Sequence, residues 1–179
     1  MGVRLLYFLN LLVAVLLIVV AVVYYIQLPE RVPVHFSASG VPDRWGSKSE
    51  LLLLPVAFVL CHMMVLAIMK NVAKYGHWTR YRFRDLLANI RNENLRKYYE
   101  DKLTEAGLLF SLLVGTSLLA MEVIAFELVL NYVKYGKTLI NPALIVLPIT
   151  ILPLGAFSAF YKVSKKLIKC AIENICEEV

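Results

Sequence analysis

Charge is what this sequence most lacks. Only 18% of its 179 residues are charged, 60% are hydrophobic, and the mean hydropathy is +0.69. A soluble domain carries roughly half apolar and a quarter charged residues. The deficit is concentrated in long stretches. No Asp, Glu, Lys or Arg occurs between Arg4 and Glu30, or between Glu50 and Lys70. A third apolar run extends from Ala106 to Met121 and continues past Glu122 and Glu127 to Val133, and a fourth fills the interval from Lys137 to Lys162. About 20 apolar residues carry a helix across a bilayer core of roughly 30 Å. These absences argue against an ordinary soluble domain. They predict an all-α membrane protein, a bundle of four transmembrane helices near 5–27, 51–69, 107–133 and 139–161.

Other absences narrow the function. There are three cysteines, Cys61 inside the second run and Cys170 and Cys176 in the tail, with no C-x-x-C pair to hold zinc. None is placed for an outward-facing disulfide. The first run ends in Tyr24-Tyr25-Ile26-Gln27 without an A-x-A-like cleavage site, so it reads as a retained helix with interfacial tyrosines. No H-E-x-x-H, P-loop or Ser-His-Asp arrangement is visible, which argues against the common hydrolases and ATPases. The expectation is a non-enzyme with no catalytic residue and no cofactor. No repeat or low-complexity linker divides the chain, so residues 1–179 read as a single integral membrane domain.

The charge that is present is unevenly shared. Fourteen of the nineteen Lys and Arg residues lie in the N-terminus, the segment 70–106 and the tail 162–179. Five lie in the first and third loops: Arg31, Arg44, Lys48, Lys134 and Lys137. The positive-inside rule then places both termini and the middle segment in the cytoplasm of a plasma-membrane protein, with the loop 28–50 outside. The basic balance needs no nucleic acid, because headgroup attraction and orientation account for it. Lipids are the expected partners, with an extracellular peptide, a membrane-protein partner or a second copy as further candidates.

In the middle segment Phe83, Leu86, Leu87 and Ile90 recur at helical spacing among Arg82, Arg84, Asp85 and Arg91. Tyr98, Tyr99, Lys102 and Leu103 continue the pattern beyond a break at Asn92-Glu93-Asn94. Amphipathic helices lying at the inner headgroups are expected here and, from Val163 onward, in the tail. Pro148 and Pro153 should kink the fourth span.

Three ionisable residues fall inside the apolar runs: His62, Glu122 and Glu127. A carboxylate at a helix centre costs ~2.5–3.5 kcal/mol on insertion scales, so it should face protein or water. Glu122 shares a helical stripe with Ser111, Gly115 and Leu118, small residues among them letting another helix approach. Glu127 points roughly 140° away, along Thr116, Ala120 and Asn131. Helical rise places His62 and Glu122 at levels several ångströms apart, and His62 reads best as a neutral ring bonded to a neighbouring carbonyl.

The loop "VPVHFSASGVPDRWGSK", Val32–Lys48, stands apart from all of this. "VPVHF" alternates like a short strand, "SASG" and "GVPD" are turn chemistry, and Trp45 suits a bilayer interface. An ordered cap over the helix ends accounts for the prolines, glycines and tryptophan, but less well for His35 and Asp43. Those two could ligate a metal with Glu30, Glu122 or Glu127, yet zinc needs three or four protein ligands, and no metal site is predicted. The cap is instead expected to gather His35, Asp43, Arg44, Trp45 and Lys48 into a ligand-binding surface close to Glu127.

Leu28–Pro55, "LPERVPVHFSASGVPDRWGSKSELLLLP", resembles the signature of a widespread family of prokaryotic membrane proteins, also found as the N-terminal module of SdpI-type immunity proteins. His35, Gly40, Pro42, Asp43, Arg44, Gly46 and Lys48 fall on its recurrent positions. The resemblance covers the first two spans and their loop. It implies toxin resistance with signalling to a transcriptional repressor, as in that branch of the family. Accessory subunit of a larger complex is the alternative, and an intramembrane enzyme or ion carrier ranks third.

Overall fold

The computed structural model describes residues 2–37, 39–75, 83–137 and 146–173. The charge-free N-terminal run forms α1, Val3–Gln27. A hairpin follows, β1 (Arg31–Phe36) and β2 (Pro42–Ser47), and a 3₁₀ turn over Lys48–Leu52 leads into α2, Leu53–Lys70. Two short helices, α3 (Val72–Tyr75) and α4 (Phe83–Ala88), precede α5, Glu93–Tyr135, and α6, Val146–Glu173. The fold is therefore helical with one two-stranded sheet.

Among the described residues three helical stretches are long and apolar enough to cross a membrane: Val3–Gln27, Lys48–Lys70 and Glu93–Tyr135. The chain is a membrane-embedded protein, and its surface fits that setting. Phe8, Val15 and Val22 on α1 and Val56, Leu60 and Met64 on α2 leave half or more of their surface uncovered. Such apolar flanks suit lipid rather than water. Of the expected fourth span, residues 139–145 lie outside the described residues, and the helix runs unbroken through Pro148 and Pro153.

The third span differs from expectation in length. It is the upper part of one helix of 43 residues, about 64 Å at ~1.5 Å per residue. Its start is set by Asn92, whose side-chain oxygen accepts from the amides of Asn94 and Leu95 at 3.0 and 3.3 Å. Gly136 ends it in the left-handed conformation, φ +67°, with its amide bonded to the Tyr132 carbonyl.

α5 is the spine against which the other elements pack. Near its middle, Leu6 of α1, Leu66 of α2 and Leu108 of α5 form one buried cluster. At the hairpin end Ala21, Leu28, Val32, Phe126, Val129 and Leu130 form another. α1 therefore runs parallel to α5 and α2 antiparallel.

At the opposite end the amphipathic stripe is used within the protein. Phe83 and Leu103 pack with Val72 and Phe160, and Leu87, Ile90 and Tyr99 form an adjoining cluster. The expectation that these residues lie on headgroups is corrected accordingly: α5 extends beyond the apolar segment and supplies the partner surface. The side chain of Leu86 lies outside the described set.

Candidate functional site

The hairpin is built from the residues that stood out in the sequence. Its strands pair antiparallel, Arg31 opposite Ser47 and Phe36 opposite Pro42, with irregularities on either side of His35. Gly40 turns the chain at φ 78°, where a side chain would be strained, and its amide bonds the Ser37 carbonyl at 2.9 Å. The irregular register brings His35 Nδ1 to within 2.5 Å of an Asp43 carboxylate oxygen. Both side chains remain about half exposed or more, 65% and 49%.

The rest of the motif is taken up by Glu50 and Glu30. Arg44 donates to Glu50 at 3.2 Å. The other Glu50 oxygen accepts from the Ser47 amide at 3.1 Å, while the Ser47 hydroxyl accepts from Ser49, closing a capping box at the entry to α2. Gly46 leaves room for that fold-back: a Cβ there would displace the Glu50 carboxylate. Lys48 pairs with Glu30 at 2.8 Å and lies over the Tyr25 ring. Its backbone amide also bonds the Glu30 carbonyl at 3.0 Å, tying the two ends of the loop together.

Tyr132 of α5 docks the hairpin. Phe36 and Trp45 meet its ring edge-on, with centroids at 5.8 and 6.2 Å. Trp45 stays about half exposed, 46%. Between hairpin, α2 and α5 lies a groove of about 590 Å³. Its wall is apolar, with Phe36, Leu54, Ala57, Phe126 and Val129 among its residues, and Arg44 and Glu50 bring the charge.

The motif and Glu127 hydrogen-bond to different partners. Arg44 goes to Glu50, whereas Glu127 accepts from the Tyr24 hydroxyl at 2.6 Å and from Asn131 at 3.4 Å. Tyr24 lies one α1 turn before the loop and reaches the carboxylate first. His35 and Asp43 are in contact with each other, on the exposed side of the hairpin. Among the described residues no group of three His, Cys, Asp or Glu side chains is placed to hold a metal ion.

His62 and Glu122 are fully buried. His62 Nε2 lies 3.0 Å from the Asn10 carbonyl oxygen, and that geometry makes Nε2 the protonated nitrogen. Asn10, not singled out by sequence reasoning, donates to the carbonyls of Leu6 and Leu108 at 2.8 and 3.1 Å. It is a polar residue in a charge-free run, and that was the available signal. Glu50, Tyr24 and Tyr132 were also missed; for Glu50 the spacing Ser47-x-x-Glu50 is a capping-box signature.

A family model described as a domain of unknown function (DUF1648) matches residues 12–59, from the middle of α1 through the hairpin into α2. An uncharacterized protein from Archaeoglobus fulgidus is 38% identical over 129 residues, covering 69% of this chain and 69% of its own length. The chain belongs to this membrane-protein family of unknown function. The family match contains the whole hairpin and the capping box that joins it to α2, so the described geometry is that of the matched domain. No solved structure matches the chain.

Proposed function

We propose that the family's hairpin domain is an outward-facing receptor for a ligand with an apolar chain and an acidic group, such as a lipid-linked peptide or phosphate. The observation that carries this reading is the groove of about 590 Å³, apolar along its length and bearing Arg44. Pockets of 300–1,000 Å³ with few polar groups are the usual size and chemistry of ligand sites. Arg44 offers the donors that carboxylate and phosphate accept. A ligand anion would compete with Glu50 for the guanidinium, coupling occupancy of the groove to the capping box at the start of α2.

This reading is of the class that the resemblance to SdpI-type immunity proteins implies: recognition and resistance or signalling, without bond-breaking chemistry. In it the hairpin faces outside a plasma membrane, both termini face the cytoplasm, and α6 supplies a fourth span. His35, Asp43, Trp45 and Lys48 shape the cap rather than contact the apolar chain.

Titration of the purified protein with a long-chain acyl phosphate, followed by native mass spectrometry, tests the proposal. One saturable adduct is expected. Ala57→Trp, which fills the groove, and Arg44→Ala, which removes the donor, should each weaken it about tenfold, roughly 1.4 kcal/mol. Unchanged binding in both folded variants would contradict the reading.

A further inference from the structure

Below the groove, α1, α2 and α5 enclose a row of polar side chains that the receptor reading does not use. Asn10, His62, Ser111 and Glu122 each have no solvent exposure. Five of their polar atoms have no hydrogen-bond partner: Asn10 Oδ1, His62 Nδ1, Ser111 Oγ and both Glu122 carboxyl oxygens. Buried polar atoms are normally bonded, and each orphan costs free energy comparable to a lost hydrogen bond. So many on one helix seam point to something that binds there.

The packing shows how the row is assembled. Gly115 seats the imidazole of His62: a Cβ on Gly115 would stand 2.5 Å from Cε1 and 2.6 Å from Nδ1. Ser111 and Glu122 lie on the same face of α5 as Gly115, since four residues return to within about 40° and seven to within about 20° of one direction. Glu122 is about 10 Å further along the axis. Helical side chains lean toward their own N-terminus, so its carboxyl group leans back toward the ring by about a turn. The two groups therefore lie along one seam without a direct hydrogen bond, an arrangement that a bridging water can complete.

The tautomer sets the polarity of that bridge. With Nε2–H donated to Asn10, Nδ1 is left as an acceptor. A water between the two groups can donate to Nδ1 whether Glu122 is ionised or protonated, so the proton is assigned from the full burial of both carboxyl oxygens without any partner. We propose that this seam is an intramembrane proton-binding site, in which Glu122 takes up one proton from solvent and a bound water joins its carboxyl group to His62 Nδ1. The uptake converts carboxylate to carboxylic acid, and no other bond changes. Among the described residues of α1, α2 and α5, no countercharge opposes it. α1 has no Asp, Glu, Lys or Arg between Arg4 and Glu30, His62 is the one titratable residue among those α2 buries, and Glu127 on α5 is held by Tyr24. Leu17 and Ala21 of α1 and Phe58 of α2 are buried at neighbouring levels. The site is distinct from the groove, so ligand binding and proton binding fail separately.

Dicyclohexylcarbodiimide, which reacts with protonated carboxyl groups in apolar surroundings, tests proton occupancy on the full chain in lipid vesicles. Peptide mass spectrometry should find the adduct on Glu122, in a yield that falls as pH is raised, and none in Glu122→Gln. Absence of the adduct at every pH, or a yield indifferent to pH, would overturn the proposal. Nitrogen NMR of ¹⁵N-histidine-labelled protein tests the bridge. Glu122→Ala should shift the His62 Nδ1 resonance, while Glu122→Gln, whose amide can still donate, should leave it near the parent position. An Nδ1 resonance unmoved by both would show that no bridge exists.

Discussion

At the scale of single residues, much of the hairpin motif does work inside the fold. Gly46 leaves room for the Glu50 carboxylate, which caps Ser47 and accepts from Arg44. Gly46→Ala should therefore loosen the hairpin by about 0.5–2 kcal/mol, the cost of displacing the Glu50 cap, read as a lower thermal midpoint in detergent. Gly115 makes a similar argument within the bundle. Gly115→Ala would drive the imidazole from its seat and break its bond to Asn10. The expected loss is about 1–3 kcal/mol. The same substitution in a His62→Ala background should cost clearly less, because the atoms it strikes are gone, and a double-mutant cycle measures the difference. Equal costs in the two backgrounds would mean that Gly115 is not kept small for His62. The exposed pair His35–Asp43 differs from these: with both side chains about half in water, its Coulomb contribution to stability is small. His35→Ala and Asp43→Ala should leave membrane insertion intact, as checked by membrane fractionation.

At the scale of elements, the interplay of sequence and structure depends on how local each signal is. The charge-free runs 5–29 and 51–69 announce α1 and α2 because a bilayer tolerates few alternatives to an apolar helix. "VPVHF" announces one strand and the glycines its turn for equally local reasons, but the pairing strand Pro42–Ser47, which adds a sheet to an expected all-α fold, was not read from its sequence. The length of α5 was less legible: its segment before Gly107 is polar on one side, and its apolar side is covered by α3 and α4 just before it and by α6, far away in sequence. Asn92 was read as a break and is indeed a boundary, but as an N-cap from which one helix continues to Tyr135. Asn92→Ala should cost about 1 kcal/mol, seen as reduced protection of the first α5 amides in hydrogen exchange. The candidate site was half legible. His35 and Asp43 were correctly expected to meet, while the destination of Arg44 depended on Glu50, on the far side of a turn. Tyr132 joins hairpin to spine, so Tyr132→Ala should release Trp45 toward solvent. In a Trp78→Phe background the Trp45 emission should shift to the red; an unmoved spectrum would show that the docking is held elsewhere.

At the scale of the whole molecule, a hairpin seated on one end of the helical bundle and a helical cluster at the other make the protein strongly polar along its long axis. The exposed apolar flanks between them suit lipid, the groove opens beside the hairpin, and the orphaned polar row lies beneath it. A receptor for extracellular ligands requires the hairpin to be outside, which the distribution of Lys and Arg also favours. Accessibility labelling in intact cells tests that requirement most directly. Single cysteines are introduced at Ser39, in the hairpin turn, and at Arg91, before α5, in a background where Cys61, Cys170 and Cys176 are serine. The account predicts that a membrane-impermeant maleimide labels the Ser39→Cys protein in intact cells and the Arg91→Cys protein only after lysis. Labelling of Arg91→Cys in intact cells, with Ser39→Cys protected until lysis, would contradict it.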